Sequence, residues 1–141
     1  MTEAALAERD RELIEAARDV IRRFYQENRH HIGAAVRGRS GRIYSAVHLD
    51  TYVGRASVCA EAVALGKAIS EGESGIEVIV SVRHPRPAET NREIHVVSPC
   101  GICREMLSDF APGCLVITPD GEEVRIVPVE ELLPNKYRRR S

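Results

Sequence analysis

Two neighbouring segments constrain the fold most. Val58 to Ser70, VCAEAVALGKAIS, is apolar and alanine-rich on nearly all faces, the pattern of a helix buried on every side. After the breaker EGESG comes IEVIVSV (76–82), a β-branched run suited to an inner strand. A strand covered on both faces needs helices above and below it, so the pair points to a layered α/β domain.

The rest of the chain supplies the other layers. Leu6, Leu13, Ala17, Val20, Ile21, Phe24 and Tyr25 recur at helical spacing, and Thr2 is a suitable N-cap. An amphipathic helix of roughly six turns is expected over residues 6–25. IGAAVRG and RIYSAVH are apolar runs joined through the glycine-bearing GRSGR, a hairpin signal. RHPRPAETNRE (83–93) carries two prolines and many charges and is expected to be a surface loop. IHVVS reads as another strand or as a resumption of the preceding one. Cys100 to Phe110 has Met106, Leu107 and Phe110 at helical spacing and ends at Ala111-Pro112-Gly113. CLVIT, PDGEE and VRIVPV form a second hairpin-like pair, and VEELLP a short terminal helix. The expectation is one α/β domain over residues 1–141, with a mixed sheet of about five strands and helices on both faces.

Composition excludes several functions. Lys plus Arg number 20 against 21 Asp plus Glu, and the chain has no Trp, two Phe and four Tyr. A polynucleotide-binding protein needs a positive groove and stacking platforms, which this balance does not provide. No apolar run approaches the ~18 residues that span a bilayer. The N-terminal MTEAALAERDRELIEAARDV alternates charge with apolar residues and lacks a signal-peptide core, so a cytoplasmic protein is expected. In a reducing compartment Cys59, Cys100, Cys103 and Cys114 are read as metal ligands, catalytic groups or buried thiols rather than disulfides.

Three of these thiols fall at helix starts. Cys59 opens the alanine-rich helix, and Cys100 and Cys103 lie in the first turn of the helix after VVSP. Unpaired amides and the helix dipole favour thiolates there. Three such sulfurs could close three corners of a zinc tetrahedron and leave the fourth to water, as in catalytic rather than structural sites. Cys114 lies beyond a helix spanning ~15 Å and reads as a buried core thiol. Glu61, two residues after Cys59, is placed to take a proton from metal-activated water and hand it to a substrate nitrogen. Two other readings remain open here: a structural zinc tie, and a Cys100/Cys103 redox couple. The first leaves Glu61 without a purpose; the second leaves both Glu61 and Cys59 without one.

VCAEAVAL and SPCGICREML together resemble the cytidine deaminase family, whose signature is Cys-Ala-Glu followed by Pro-Cys-x-x-Cys. GAAVRGRSGRIYSAV is similar to the family's first hairpin, ELLPNKY to its C-terminal segment, and the last third is particularly like the blasticidin S deaminases. The resemblance implies a three-layer α/β/α fold, one zinc per chain on Cys59, Cys100 and Cys103, and Glu61 as proton shuttle. It implies hydrolytic removal of an amino group, with release of ammonia; the charge balance and few aromatics favour a small free substrate over a polynucleotide. The leading expectation is a cytidine- or deoxycytidine-like nucleoside, the alternative a blasticidin S-type nucleoside or another amino-heterocycle. A homotetramer with shared active sites is also implied.

Substrate contacts are implied at His30, the position of the family's ring-stacking aromatic, at Ala60 within Cys-Ala-Glu, and at Tyr137 in the C-terminal segment. His48 and Asp50 stand where cytidine deaminases carry an Asn-x-Glu pair that grips the ribose. Ala62 occupies a position that is arginine in many members, and Arg104 could supply the missing charge. Arg83, His84 and Arg86 in the 83–93 loop are available to an anionic group.

Overall fold

The computed structural model describes residues 1–140. In chain order the elements are α1 (Glu8–Phe24), β1 (Ile32–Gly38), β2 (Ile43–Val47), α2 (Ala60–Ser70), β3 (Ile76–Arg83), β4 (His95–Val97), α3 (Gly101–Phe110), β5 (Leu115–Asp120) and β6 (Glu123–Pro128). Single 3-10 turns cover Glu3–Ala5, Gly54–Ala56 and Val129–Leu132.

The strands form one mixed sheet ordered β2-β1-β3-β5-β6. β3 is its centre, with β1 antiparallel along one edge. The other edge is shared. β5 pairs in parallel with Val78–Val80, and β4 runs antiparallel along Ser81–Arg83. IHVVS is therefore a separate short strand, which makes six where about five were expected.

Side-chain parity sorts the core into two layers. On one face Ala35, Val78, Val80, Val82 and Ile117 pack with Leu13, Ile14, Ala17 and Ile21 of α1. On the other, Ala34, Val36, Ile79 and Val116 pack with Ala60, Ala64, Leu65 and Ala68 of α2 and Leu107 of α3. Alternate residues of a strand point to opposite faces, so a run such as VIV on β3 serves both helix layers at once. Small residues bring the layers close: a Cβ built on Gly33 would lie 2.5 Å from the Ala17 carbonyl oxygen of α1.

The N-terminus departs from expectation. Thr2 makes no side-chain cap bond, Leu6 is extended, and the helix begins only at Glu8. Two features divert the chain: Met1 exchanges backbone hydrogen bonds of 2.9 Å with Val124, and Leu6 is buried in the core layer that holds Leu13 and Ile14. Burial of a leucine contributes about 1.5–3 kcal/mol, enough to draw one residue out of helical geometry. VEELLP likewise forms a 3-10 turn rather than an α-helix.

The 83–94 loop is strapped to the body. Arg83 donates twice to Glu89, Arg86 to Glu27, and Arg92 to the Arg86 carbonyl. His84 stacks on Tyr25, ring centroids 3.9 Å apart.

Candidate active site

Cys59 and Cys100 are the N-cap residues of α2 and α3, both with extended backbone (φ −67°, ψ 148° and φ −69°, ψ 168°). An N-cap favours a short polar oxygen that bonds the exposed amides. Cysteine is a poor choice for that purpose, and Cys59 makes no cap bond to its helix. Leu49 and Val58 exchange backbone bonds of 2.9 and 3.0 Å, closing the 50–57 loop and fixing the entry to Cys59. Cys103, in the first turn of α3, is buried.

These placements gather the sulfurs of Cys59, Cys100 and Cys103 within 4.8 Å of one another. Cys59 and Cys100 are 3.3 Å apart and all four cysteines are free thiols. A tetrahedron with Zn–S bonds near 2.3 Å places sulfurs about 3.8 Å apart, so the cluster matches a zinc ion's scale. The donor set fits for a second reason. Burial, then the neighbouring Cys100 thiol, pushes Cys59 up to about 11. Burial, then the Glu61 carboxylate, pushes Cys103 upward too. Burial also pulls Cys100 upward, but the amides of Cys103 and Ile102 and the adjacent thiols outweigh it and hold this thiol below its usual value. Three crowded thiols resist joint ionisation, and a divalent cation supplies the positive charge that makes it favourable. Cys114 is buried apart from the cluster, and burial pushes its thiol up to about 12.

Glu61 is the second residue of α2 and only 5% exposed. Burial pushes its carboxyl above the usual carboxylate range, opposed by its own backbone amide, the Ser81 hydroxyl and Cys103. Ser81 was not singled out from the sequence. Its signal was a lone hydroxyl in the β-branched run of an inner strand, where it now sits buried beneath the carboxyl.

In front of Cys59, Cys100 and Glu61 lies a cavity of about 190 Å³, walled by Ile32, Val58, Ala60 and Val97, with His48, Ser57 and Ser98 as its polar members. Cys103 lies behind this surface. A larger cavity of about 740 Å³, between β4 and the β5–β6 turn, contains none of the thiols and not Glu61.

The remaining sequence candidates divide. His48 lines the cavity, and its Nδ1 accepts from the amides of Ile32 (2.9 Å) and His31 (3.2 Å). A nitrogen that accepts carries no proton, so neutral His48 is held with its proton on Nε2, as a donor. Asp50 does not line the cavity; its carboxylate accepts from the Ser57 hydroxyl at 3.3 Å. His30 donates through Nδ1 to the His48 carbonyl at 2.8 Å, supporting that residue from behind. Tyr137, 82% exposed, lies beside Asp109 and Phe110 and away from its own chain's cavity. Arg104 donates to the carbonyls of Pro99 and Leu132. Arg83 and Arg86 are engaged by Glu89 and Glu27, and neither lines the cavity.

Comparison with known proteins gives the family and the fold. Residues 7–119 match the family model described as the cytidine and deoxycytidylate deaminase zinc-binding region. The chain belongs to that family of zinc-dependent hydrolytic deaminases. It is 48% identical over 134 residues to the blasticidin-S deaminase of Bacillus cereus, spanning 95% of this chain and 96% of that one. It is 29% identical over 108 residues to a cytidine deaminase of Sporosarcina psychrophila, spanning 75% and 74%. The crystal structure of the cytidine deaminase from Bacillus anthracis superposes with a TM-score of 0.76 at 22% identity, over 91% of this chain and 89% of that one. The three-layer fold is shared. Among the described residues no helix is long and apolar enough to cross a membrane.

Proposed function

We propose that the chain is a hydrolytic deaminase of a free cytosine nucleoside, holding one zinc ion on Cys59, Cys100 and Cys103 and moving protons through Glu61. One observation carries this reading: three sulfurs from two helix N-termini lie within 4.8 Å, and the buried Glu61 carboxyl shares the cavity in front of them. Zinc held there supplies a Lewis acid and lowers the pKa of a bound water. The chain's residues do the rest. Glu61 takes one proton of the attacking water and gives it to the ring nitrogen beside the amino-bearing carbon. It then takes the second from the hydroxyl newly formed on that carbon and passes it to the amine as the C–N bond breaks and ammonia leaves. The apolar walls Ile32, Val58 and Val97 suit a flat heterocycle and limit access of further water.

On the sugar side the reading favours a blasticidin S-type nucleoside over cytidine, reversing the order expected from sequence. Its support is the 48% identity across nearly both full lengths, together with the donor and acceptor inventory of the cavity. His48 offers a donor. Asp50 is turned to Ser57, and the Ser98 hydroxyl is engaged with Thr118 at 2.7 Å. Glu61, the one carboxylate lining the cavity, is committed to the reacting ring, so a vicinal diol, as in cytidine, meets no second carboxylate there to accept its protons. The test is ammonia release and ultraviolet absorbance on blasticidin S, cytidine and 2′,3′-dideoxycytidine. Release from the antibiotic, with cytidine no better than its dideoxy analogue, supports the reading. A cytidine rate far above the dideoxy rate restores cytidine as the substrate.

The same reading includes a cytoplasmic homotetramer. A cavity of about 190 Å³ is below the ~300–1,000 Å³ of complete ligand pockets, and exposed Leu49, Tyr52 and Val53 belong to the same 49–58 segment that lends Ser57 and Val58 to its wall. A neighbouring copy would cover that segment and add the missing wall. Light scattering after size exclusion checks it: a mass of four chains is expected, and a monomer overturns it.

A further inference from the structure

Arg104 joins three parts of the chain at one guanidinium. It is the fourth residue of α3, and its Nε reaches back over the first turn to the Pro99 carbonyl at 2.9 Å. Its Nη1 donates at 2.9 Å to the carbonyl of Leu132, the last residue of the C-terminal 3-10 turn. Both acceptors lie outside the helix ladder. The first intrahelical acceptor of α3 is the Cys100 carbonyl, which takes the Arg104 amide at 3.0 Å. Pro99 is buried, and a buried carbonyl outside a ladder needs a donor.

The Pro99 carbonyl belongs to the peptide plane that joins Pro99 to Cys100. Holding that plane sets the direction in which the Cys100 side chain leaves the backbone, and Cys103 follows one helical turn later. The segment on the other side of Arg104 is itself firmly held. Val129 is fully buried, and its amide donates to the Cys114 carbonyl at 2.9 Å. Glu130 accepts from the Gly113 amide, and Lys136 donates to Ser108 and Asp109, each at 2.6 Å. The C-terminal segment from Val129 to Lys136 is thus a strap along α3, and Arg104 ties it to the turn that carries two thiols.

We propose that Arg104 is a positioning residue that couples this strap to the Pro99–Cys100 turn and so keeps Cys100 and Cys103 in ligating geometry. The proposal rests on the assignment of these cysteines as zinc ligands. It differs from charge neutralisation. The Nε and Nη1 donors are directed at carbonyls, and no sulfur is among Arg104's hydrogen-bond partners. A planar fork spans two separate acceptors in a way a single ammonium cannot, which makes lysine a discriminating replacement.

The test uses the zinc-loaded full-length chain and times metal release to a chromogenic chelator well below the melting temperature. Arg104→Lys and Arg104→Gln are both expected to release zinc about tenfold faster or more, the effect seen when groups supporting metal ligands are removed. Added zinc is expected to restore kcat in both with KM unchanged. Release at the wild-type rate in Arg104→Lys, with Gln alone impaired, shows that charge is what matters and overturns the proposal. Unchanged release in both overturns it too. Should either variant fail to fold, Lys136→Met frees the far end of the strap and is expected to release zinc about threefold faster; wild-type release there refutes the coupling. A wild-type chain that takes up no zinc refutes the ligand assignment itself. Loaded wild type with unaffected variants refutes only the role of Arg104.

Discussion

Replacing His48 with alanine removes the acceptor shared by the Ile32 and His31 amides at the start of β1. A buried donor left without a partner costs about 1–3 kcal/mol. Here two donors share one nitrogen and the residue is half-buried, so water compensates in part and the lower end applies. A loss of about 1.5 kcal/mol is expected, which for a chain of this size lowers Tm by about 5 °C. Asparagine places its carbonyl oxygen near the position of Nδ1 and is expected to stay within about 0.5 kcal/mol of wild type. The pH dependence provides a second signature. Burial, then the charge of His31, holds His48 below its ordinary value of 6.5. A histidine with a depressed folded pKa contributes stability that is present above 6.5 and lost as pH falls through the folded value. Protonating Nδ1 would turn both amide contacts into repulsions. Denaturant titrations near neutral pH and about two units lower should show a smaller acid loss in His48→Asn than in wild type. The loss is not abolished, because buried His31 is depressed for the same reason. Equal stabilities for the alanine and asparagine variants, or an unchanged acid loss in His48→Asn, would refute this account of how His48 is held.

Gly33→Val is expected to destabilise the fold by about 1–3 kcal/mol in urea titrations, because its first added carbon already meets the Ala17 carbonyl at 2.5 Å and the Ile21 Cβ at 2.9 Å. Chelating the metal is expected to abolish ammonia release reversibly and to lower Tm, since the folded chain gathers the three thiols and so binds zinc more tightly than the unfolded chain does. In the metal-free protein, alkylation read by peptide mass spectrometry should follow exposure, with Cys100 first, Cys59 next, and Cys103 and Cys114 last. Zinc should protect Cys100 and Cys59 and leave Cys114 unchanged.

The sequence carried the central architecture because parity and burial coincide there. IEVIVSV and the alanine-rich α2 have one compatible arrangement, and the two hairpins are marked by turn glycines: Gly41 at φ 90° and Gly121 at φ 63°. What it did not carry were contacts between distant segments. Met1 pairing with Val124 delays the start of the first helix to Glu8, and no local pattern around Thr2 announces it. At the site, the motif spacing was enough to bring Cys59, Cys100, Cys103 and Glu61 together. His48 and Asp50 stand two residues apart, yet only His48 lines the cavity. The difference arises from the Ser57 hydroxyl, which draws Asp50 into the 50–57 loop. Arg104 was legible as a cation beside a thiol but not as a donor to Leu132, 28 residues away.

The most direct test of the central claim is Glu61→Gln, assayed side by side for bound zinc and for ammonia release from cytosine nucleosides. The substitution keeps the shape of the side chain and removes its ability to carry protons. One zinc per chain with ammonia release reduced by at least about 10²-fold is the expected result. Turnover at the wild-type rate in the zinc-loaded variant would contradict it.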